Sequence, residues 1–168
     1  MTAIFAFKCS CCGELHEGSP SFSFSEPAPY AEQDTNTKEG GILTEDICTY
    51  TDEDGEHYFV RVVLEVPING VEEPFTWGIW MSLSKENFDN YVDTYNAPEV
   101  GKALFGWFCN YLPYYENTYA LAADVILRDK SLRPSIYLHE KCHELVHDFN
   151  DGITVEKAQK IAEKVLHS

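Results

Sequence analysis

A chain of 168 residues is long enough for one core-bearing domain and too short for two comfortable ones. Its 44% hydrophobic and 14% aromatic content is that of a packed globular protein, and no run approaches the ~20 apolar residues of a membrane span. A formal charge of −16, with 12 Lys and Arg against 28 Asp and Glu, argues against nucleic-acid binding, which needs clustered cations.

Residues 1–8 have neither the basic start nor the apolar core of an export signal, so a cytoplasmic address with reduced thiols is expected. Six cysteines (Cys9, Cys11, Cys12, Cys48, Cys109 and Cys142) then point to metal binding or plain burial rather than disulfides. Residues 3–8 read as a short strand that delivers Cys9 to a turn. Two residues separate Cys9 from Cys12, Gly13 frees the backbone to bend, and His16 follows one turn later. That spacing aims two thiolates at one tetrahedral ion, and Zn²⁺, with S–Zn distances of roughly 2.3 Å, suits such donors. A pair is half a site, so further ligands must come from elsewhere in the fold. From residue 18 to residue 41 the chain is rich in Ser, Pro, Glu, Asn and Thr. It reads as an irregular loop within a single domain spanning 1–168, with Pro20, Pro27 and Pro29 forbidding a regular helix and Phe22, Phe24 and Tyr30 pinning it to the body.

Asp54-Gly55 and Asn69-Gly70 are turn pairs that tolerate positive φ, and they separate three predicted strands at 46–53, 56–68 and 71–83. Counting outward from these turns places Leu64 opposite Phe75, Val62 opposite Trp77 and Val60 opposite Ile79, a dry face. On the other face the same count aligns Cys48, Arg61 and Gly78 in one row, with Phe59 beside Trp80 and Tyr50. Arginine keeps its proton, so a carboxylate or an anion should meet it there. Asp46 is the candidate carboxylate, and the row reads either as a structural Arg–Asp pair or as an anion pocket of Arg61, Asp46, Trp80 and Ser82.

Ser84 reads as the N-cap of a helix over 85–95 that Asn96-Ala97-Pro98 breaks. Residues 104–112 are continuously apolar, and strand and helix are not separable there by period. Residues 119–128 alternate as a strand and, after a turn at Asp129-Lys130-Ser131, a partner strand begins at Arg133-Pro134. His139, His143 and His147 then recur every four residues beside Cys142; the helix starts near Cys142, which detaches His139, and stops at Gly152. Any of Cys142, His143 and His147 is a candidate ligand, with a capping histidine as the alternative. Thr154 caps a last amphipathic helix through residue 166.

These residues carry a resemblance to the bacterial domain-of-unknown-function family 2199. Cys9-x2-Cys12-Gly13-Glu14-x-His16-Glu17-Gly18 opens it, followed by Asp46-x-Cys48, Phe59-x-Arg61, Trp77-Gly78-x-Trp80-x-Ser82, Phe105-Gly106-Trp107, Arg133-Pro134, His143 and Gly152-Ile153. The resemblance implies no established activity, and it leaves Cys11 and Cys142 outside the shared pattern. The expected fold is α+β: an antiparallel sheet of five or six strands in a meander of hairpins, with helices on one face and at the C-terminus. The expected cofactor is zinc, held by Cys9 and Cys12 with two of His16, Cys48 and His143. The expected function is a binding module, with a basic protein as partner, in the manner of immunity-type proteins. Two enzymatic alternatives stand beside it. One is an open zinc site for hydrolysis with Glu14 or Glu17 as base; the other is a reactive thiol at Cys48 beside Arg61.

Overall fold

The computed structural model describes residues 4–167; Ala3, where the first predicted strand begins, and the rest of the opening tripeptide lie outside the described residues. Chain order is β1 (Ala6–Lys8), β2 (Leu15–Glu17), β3 (Ser21–Ser23), α1 (Ala28–Ala31), α2 (Thr35–Glu39), β4 (Ile42–Leu43), β5 (Ile47–Asp52) and β6 (Gly55–Val66). There follow β7 (Phe75–Leu83), α3 (Lys85–Asp93), β8 (Ala103–Phe108), β9 (Ala122–Ile126), β10 (Ser135–Leu138), α4 (Glu144–Asp151) and α5 (Val155–Leu166). Among the described residues no helix is long and apolar enough to cross a membrane.

The period-two alternation of β6 builds the core as expected. Val60, Val62, Leu64 and Val66 are buried with Phe75, Trp77, Ile79 and Met81 of β7, each side chain stabilising the fold by about 1.5–3 kcal/mol. The sheet, however, is not a meander. β7, β8, β9 and β10 follow β6 in antiparallel steps, and β10 then returns parallel to β6, with Ser135 opposite Val63 and the Val63 N–H donating to the Pro134 carbonyl at 2.9 Å. Five strands thereby close into a mixed barrel, whose interior alternation also buries Leu104, Phe108, Ala123, Val125, Ile136 and Leu138. β5 and β4 continue from the other half of β6, and β3 runs parallel to the first half of β7. Period alone carries no information on closure, because inward and outward positions alternate identically in open and closed sheets.

Both hairpin registers differ from the predicted ones by two residues, which keeps each side chain on its predicted face. Asn69-Gly70 does form a tight turn, with Val71 N–H donating to the Ile68 carbonyl at 3.0 Å. Beyond it Glu72-Glu73-Pro74 bulges, since Pro74 has no N–H for a ladder, and the pairing resumes as Val66 with Phe75 and Val62 with Ile79. In the other hairpin the Asp52 carboxylate captures the Asp54 N–H at 2.9 Å, so the turn centres on Glu53-Asp54 and Asp52 faces Gly55. Cys48 consequently lies opposite Phe59, and Arg61 opposite Trp80. The row of Cys48, Arg61 and Gly78 does not exist. Nor is the space beside Gly78 open: a Cβ there would stand 2.7 Å from the Ser23 Cβ of β3.

The segment from 18 to 41 is more regular than its prolines suggest. Pro29 sits in the first turn of α1, where a missing N–H costs nothing, and the Asp34 side chain caps α2. The segment covers a second buried cluster of Tyr30, Cys48, Tyr50, Phe59, Trp80 and Cys109. Trp80 donates its indole N–H to the Phe24 carbonyl at 2.9 Å, and Asn110 bonds the Trp80 N–H and the Glu26 carbonyl. Ser84 and Thr154 cap α3 and α5 as predicted.

Candidate metal centre

The first hairpin positions the candidate site. Phe7 of β1 pairs with His16 of β2, and the two rings stack with centroids 5.0 Å apart. Between the strands, residues 9–14 form a tight knuckle in which Cys9 N–H donates to the Glu14 carbonyl (2.8 Å) and Gly13 N–H to the Cys9 carbonyl (2.9 Å). Gly13 takes φ +74, which a side chain would strain. The Cys11 N–H points at the Cys9 sulfur from 3.4 Å.

The donor atoms of Cys9, Cys12 and His16 all lie within 4.8 Å of one another, close enough to hold a metal ion. A second trio, Cys9, Cys11 and His167, meets the same limit, so the Cys9 sulfur belongs to both. His167 is the C-cap of α5, and its Nε2 stands 3.0 Å from the Cys9 sulfur; the His16 Nε2 stands 4.0 Å from that of Cys12. Donors around a tetrahedral ion with such bonds are separated by about 3.5–3.8 Å, and each of these two distances lies near that spacing, while His167 shares a trio with Cys11 and not with Cys12 or His16. α5 is fastened to the knuckle beside the sulfurs. Ser10 donates its N–H and hydroxyl to the Glu163 carboxylate (3.0 and 2.6 Å), which Gln159 also contacts.

The electrostatics suit a thiolate. Cys9 is 2% exposed, and burial alone would raise its pKa. The N–H groups of Cys12 and Cys11, together with the Cys12 thiol and the His167 ring, outweigh that and hold it at about 6. At Cys12 the Glu14 N–H favours the thiolate, but desolvation and the neighbouring Cys9 sulfur push the thiol up overall. Hydrogen bonds from Ser10 hold Glu163 at about 2.

The other residues proposed from sequence are elsewhere. Cys48 is 0% exposed in the second cluster, where burial pushes its thiol up to about 12; that is opposite to what a nucleophile requires. His143 caps α4: its Nδ1 accepts the Leu145 N–H at 3.0 Å, and its Nε2 donates to the Glu116 and Asn117 carbonyls at 2.9 and 3.1 Å. Both ring nitrogens are thus spoken for. Arg61 lies over the Trp80 ring, 5.7 Å from its centroid, and donates to the Glu45 carbonyl. The Asp46 carbonyl takes the Arg61 backbone N–H at 2.9 Å, but the Asp46 carboxylate does not bond the guanidinium; it accepts instead from Arg133 Nε (3.3 Å) and the Tyr95 hydroxyl (3.2 Å). Ser82 is a strand residue between Phe59 and Trp107.

Sequence reasoning missed His167 and set Cys11 aside. His167 stands 158 residues from Cys9, and no local spacing connects them. The available signal was indirect: the inward face of the last helix continues towards its C-terminus, so its end had to reach the core that Phe5, Phe7 and Cys9 also enter.

The family model for an uncharacterized protein conserved in bacteria, DUF2199, matches residues 8–153, and the chain belongs to that family. The match includes Cys9, Cys12 and His16 and stops short of His167. No curated protein and no solved structure matches the chain.

Proposed function

We propose that Cys9, Cys12, His16 and His167 hold a structural zinc ion that staples the first hairpin to the end of α5. The protein then serves as a binding module in the cytoplasm. The supporting observation is the shared Cys9 sulfur, which belongs both to the trio with Cys12 and His16 and to the trio with His167, so that a small closure of the knuckle towards the end of α5 would bring the four donors to one ion. Two thiolates and two imidazoles make a donor set suited to zinc, and four protein ligands close a tetrahedron, leaving no position for an activated water. The closed reading is therefore preferred to hydrolysis, and the burial of Cys48 disfavours a thiol enzyme. The net charge of −16 supports a basic protein as the partner.

Metal analysis of chelator-free protein tests this reading. One zinc per chain is expected, with a fall in Tm on chelation that is abolished in Cys9→Ser and reduced in His167→Ala. Metal-free protein with a Tm indifferent to both chelator and added zinc would overturn it.

A further inference from the structure

The Asp46–Arg133 pair forms part of a second site, remote from the sulfurs in its residues and chemistry. Where β10 closes the barrel against β6, the loop over residues 127–134 and the end of α3 enclose a cavity of about 420 Å³. That is within the ~300–1,000 Å³ of small-molecule sites, which favour the mouths of barrels. Leu127 and Tyr91 supply apolar wall; Tyr91 is buried and meets Tyr95 edge-on, ring centroids 5.9 Å apart.

The charge of the lining is opposite to that of the molecule. Arg128, Lys130 and Arg133 line the cavity against a single carboxylate, Asp46, on a chain whose acidic residues outnumber its basic ones 28 to 12. Asp46 is already occupied by Arg133 Nε and the Tyr95 hydroxyl. Arg128 is held as part of the frame, its Nε donating to the Arg133 carbonyl at 2.7 Å and its Nη1 3.6 Å from Glu65. Lys130 has no carboxylate partner among the described residues, and the Arg133 contact with Asp46 is through Nε, one edge of a guanidinium that presents several N–H donors.

We infer that this cavity binds a small organic anion, its phosphate or carboxylate head between Arg133 and Lys130 and its apolar body against Tyr91 and Leu127. Asp46 acts as the internal counter-charge that holds Arg133 in place and that the ligand's head group partly displaces. This sets the site apart from a loop-fastening ion pair, for which Asp46 and Arg133 would be equivalent partners.

Calorimetric titration of the full chain at low ionic strength, with phenyl phosphate, benzoate and phenol as probes, tests the inference. At least one anionic probe is expected to bind saturably, and which of the two binds identifies the head group. Arg133→Gln should weaken that binding roughly tenfold, as loss of a charged hydrogen bond does. Asp46→Asn should strengthen it by roughly threefold, because it removes the competing carboxylate. If Arg133→Gln does not fold, Lys130→Gln, at an exposed position, carries the same test with a smaller loss. Absence of saturable binding by both anions, equal binding of phenol, or binding unchanged in Lys130→Gln and Asp46→Asn would overturn the proposal.

Discussion

Gly78→Ala distinguishes the observed sheet from the one that hairpin counting suggests. With Gly78 in an open row beside Arg61, alanine would stabilise the protein by about 0.4–1 kcal/mol, since it removes backbone freedom from the unfolded chain. In the structure the new Cβ would stand 2.7 Å from the Ser23 Cβ and 3.4 Å from its Cα, so β3 must shift. A shift of β3 strains the bonds on either side, from Phe24 N–H to the Gly78 carbonyl (2.9 Å) and from Thr76 N–H to the Pro20 carbonyl (3.0 Å). Overpacking of this kind costs about 1–3 kcal/mol, and for a chain of this length each kcal/mol moves Tm by roughly 2–4 °C. Thermal unfolding followed by circular dichroism should therefore show a loss of several degrees. An unchanged or raised Tm would refute the placement of β3 against Gly78.

Three other outcomes follow from the same contacts. His143→Ala removes the cap of α4 and should cost roughly 1–2 kcal/mol in a urea melt while leaving metal content unchanged; a loss of metal would put His143 in the wrong role. The hydrogen bond from the His57 ring at 2.8 Å holds the Asp52 carboxyl below its ordinary value of 3.8. A lowered folded pKa makes this contribution complete above the unfolded value and lost as pH falls through the folded one. The gap in urea midpoint between the wild type and Asp52→Asn should thus be complete above the ordinary carboxyl value and shrink as pH falls below it, and a gap that widens there would contradict the pairing. In native protein at neutral pH, alkylation followed by mass spectrometry should reach exposed Cys142 well before Cys48 or Cys109, both pushed up to about 12 by burial. Equal rates would mean that the second cluster opens readily.

Much of the fold is legible in the chain because local chemistry decides it. Ser84 and Thr154 announce their helices through side-chain caps, and Val60, Val62 and Leu64 announce a buried face through period two. The registers are two residues away from those that turn counting suggests, because Pro74 and the Asp52 carboxylate alter the turns in ways that Asn-Gly and Asp-Gly pairs do not reveal. Barrel closure rests on a parallel contact between Ser135 and Val63, far apart in sequence and unmarked in either strand. The clustering of Cys9, Cys12 and His16 is legible because these residues share one hairpin. The approach of His167 to Cys9 depends on where α5 ends, which only the packed molecule determines.

One metal ion would join the first hairpin to the end of α5. X-ray absorption at the zinc edge of protein purified without chelator tests it directly. The expected spectrum has two sulfurs at about 2.3 Å and two nitrogens at about 2.0–2.1 Å, with one nitrogen replaced by oxygen in His167→Ala. A native spectrum without sulfur in the first shell, or one that His167→Ala leaves unchanged, would contradict it.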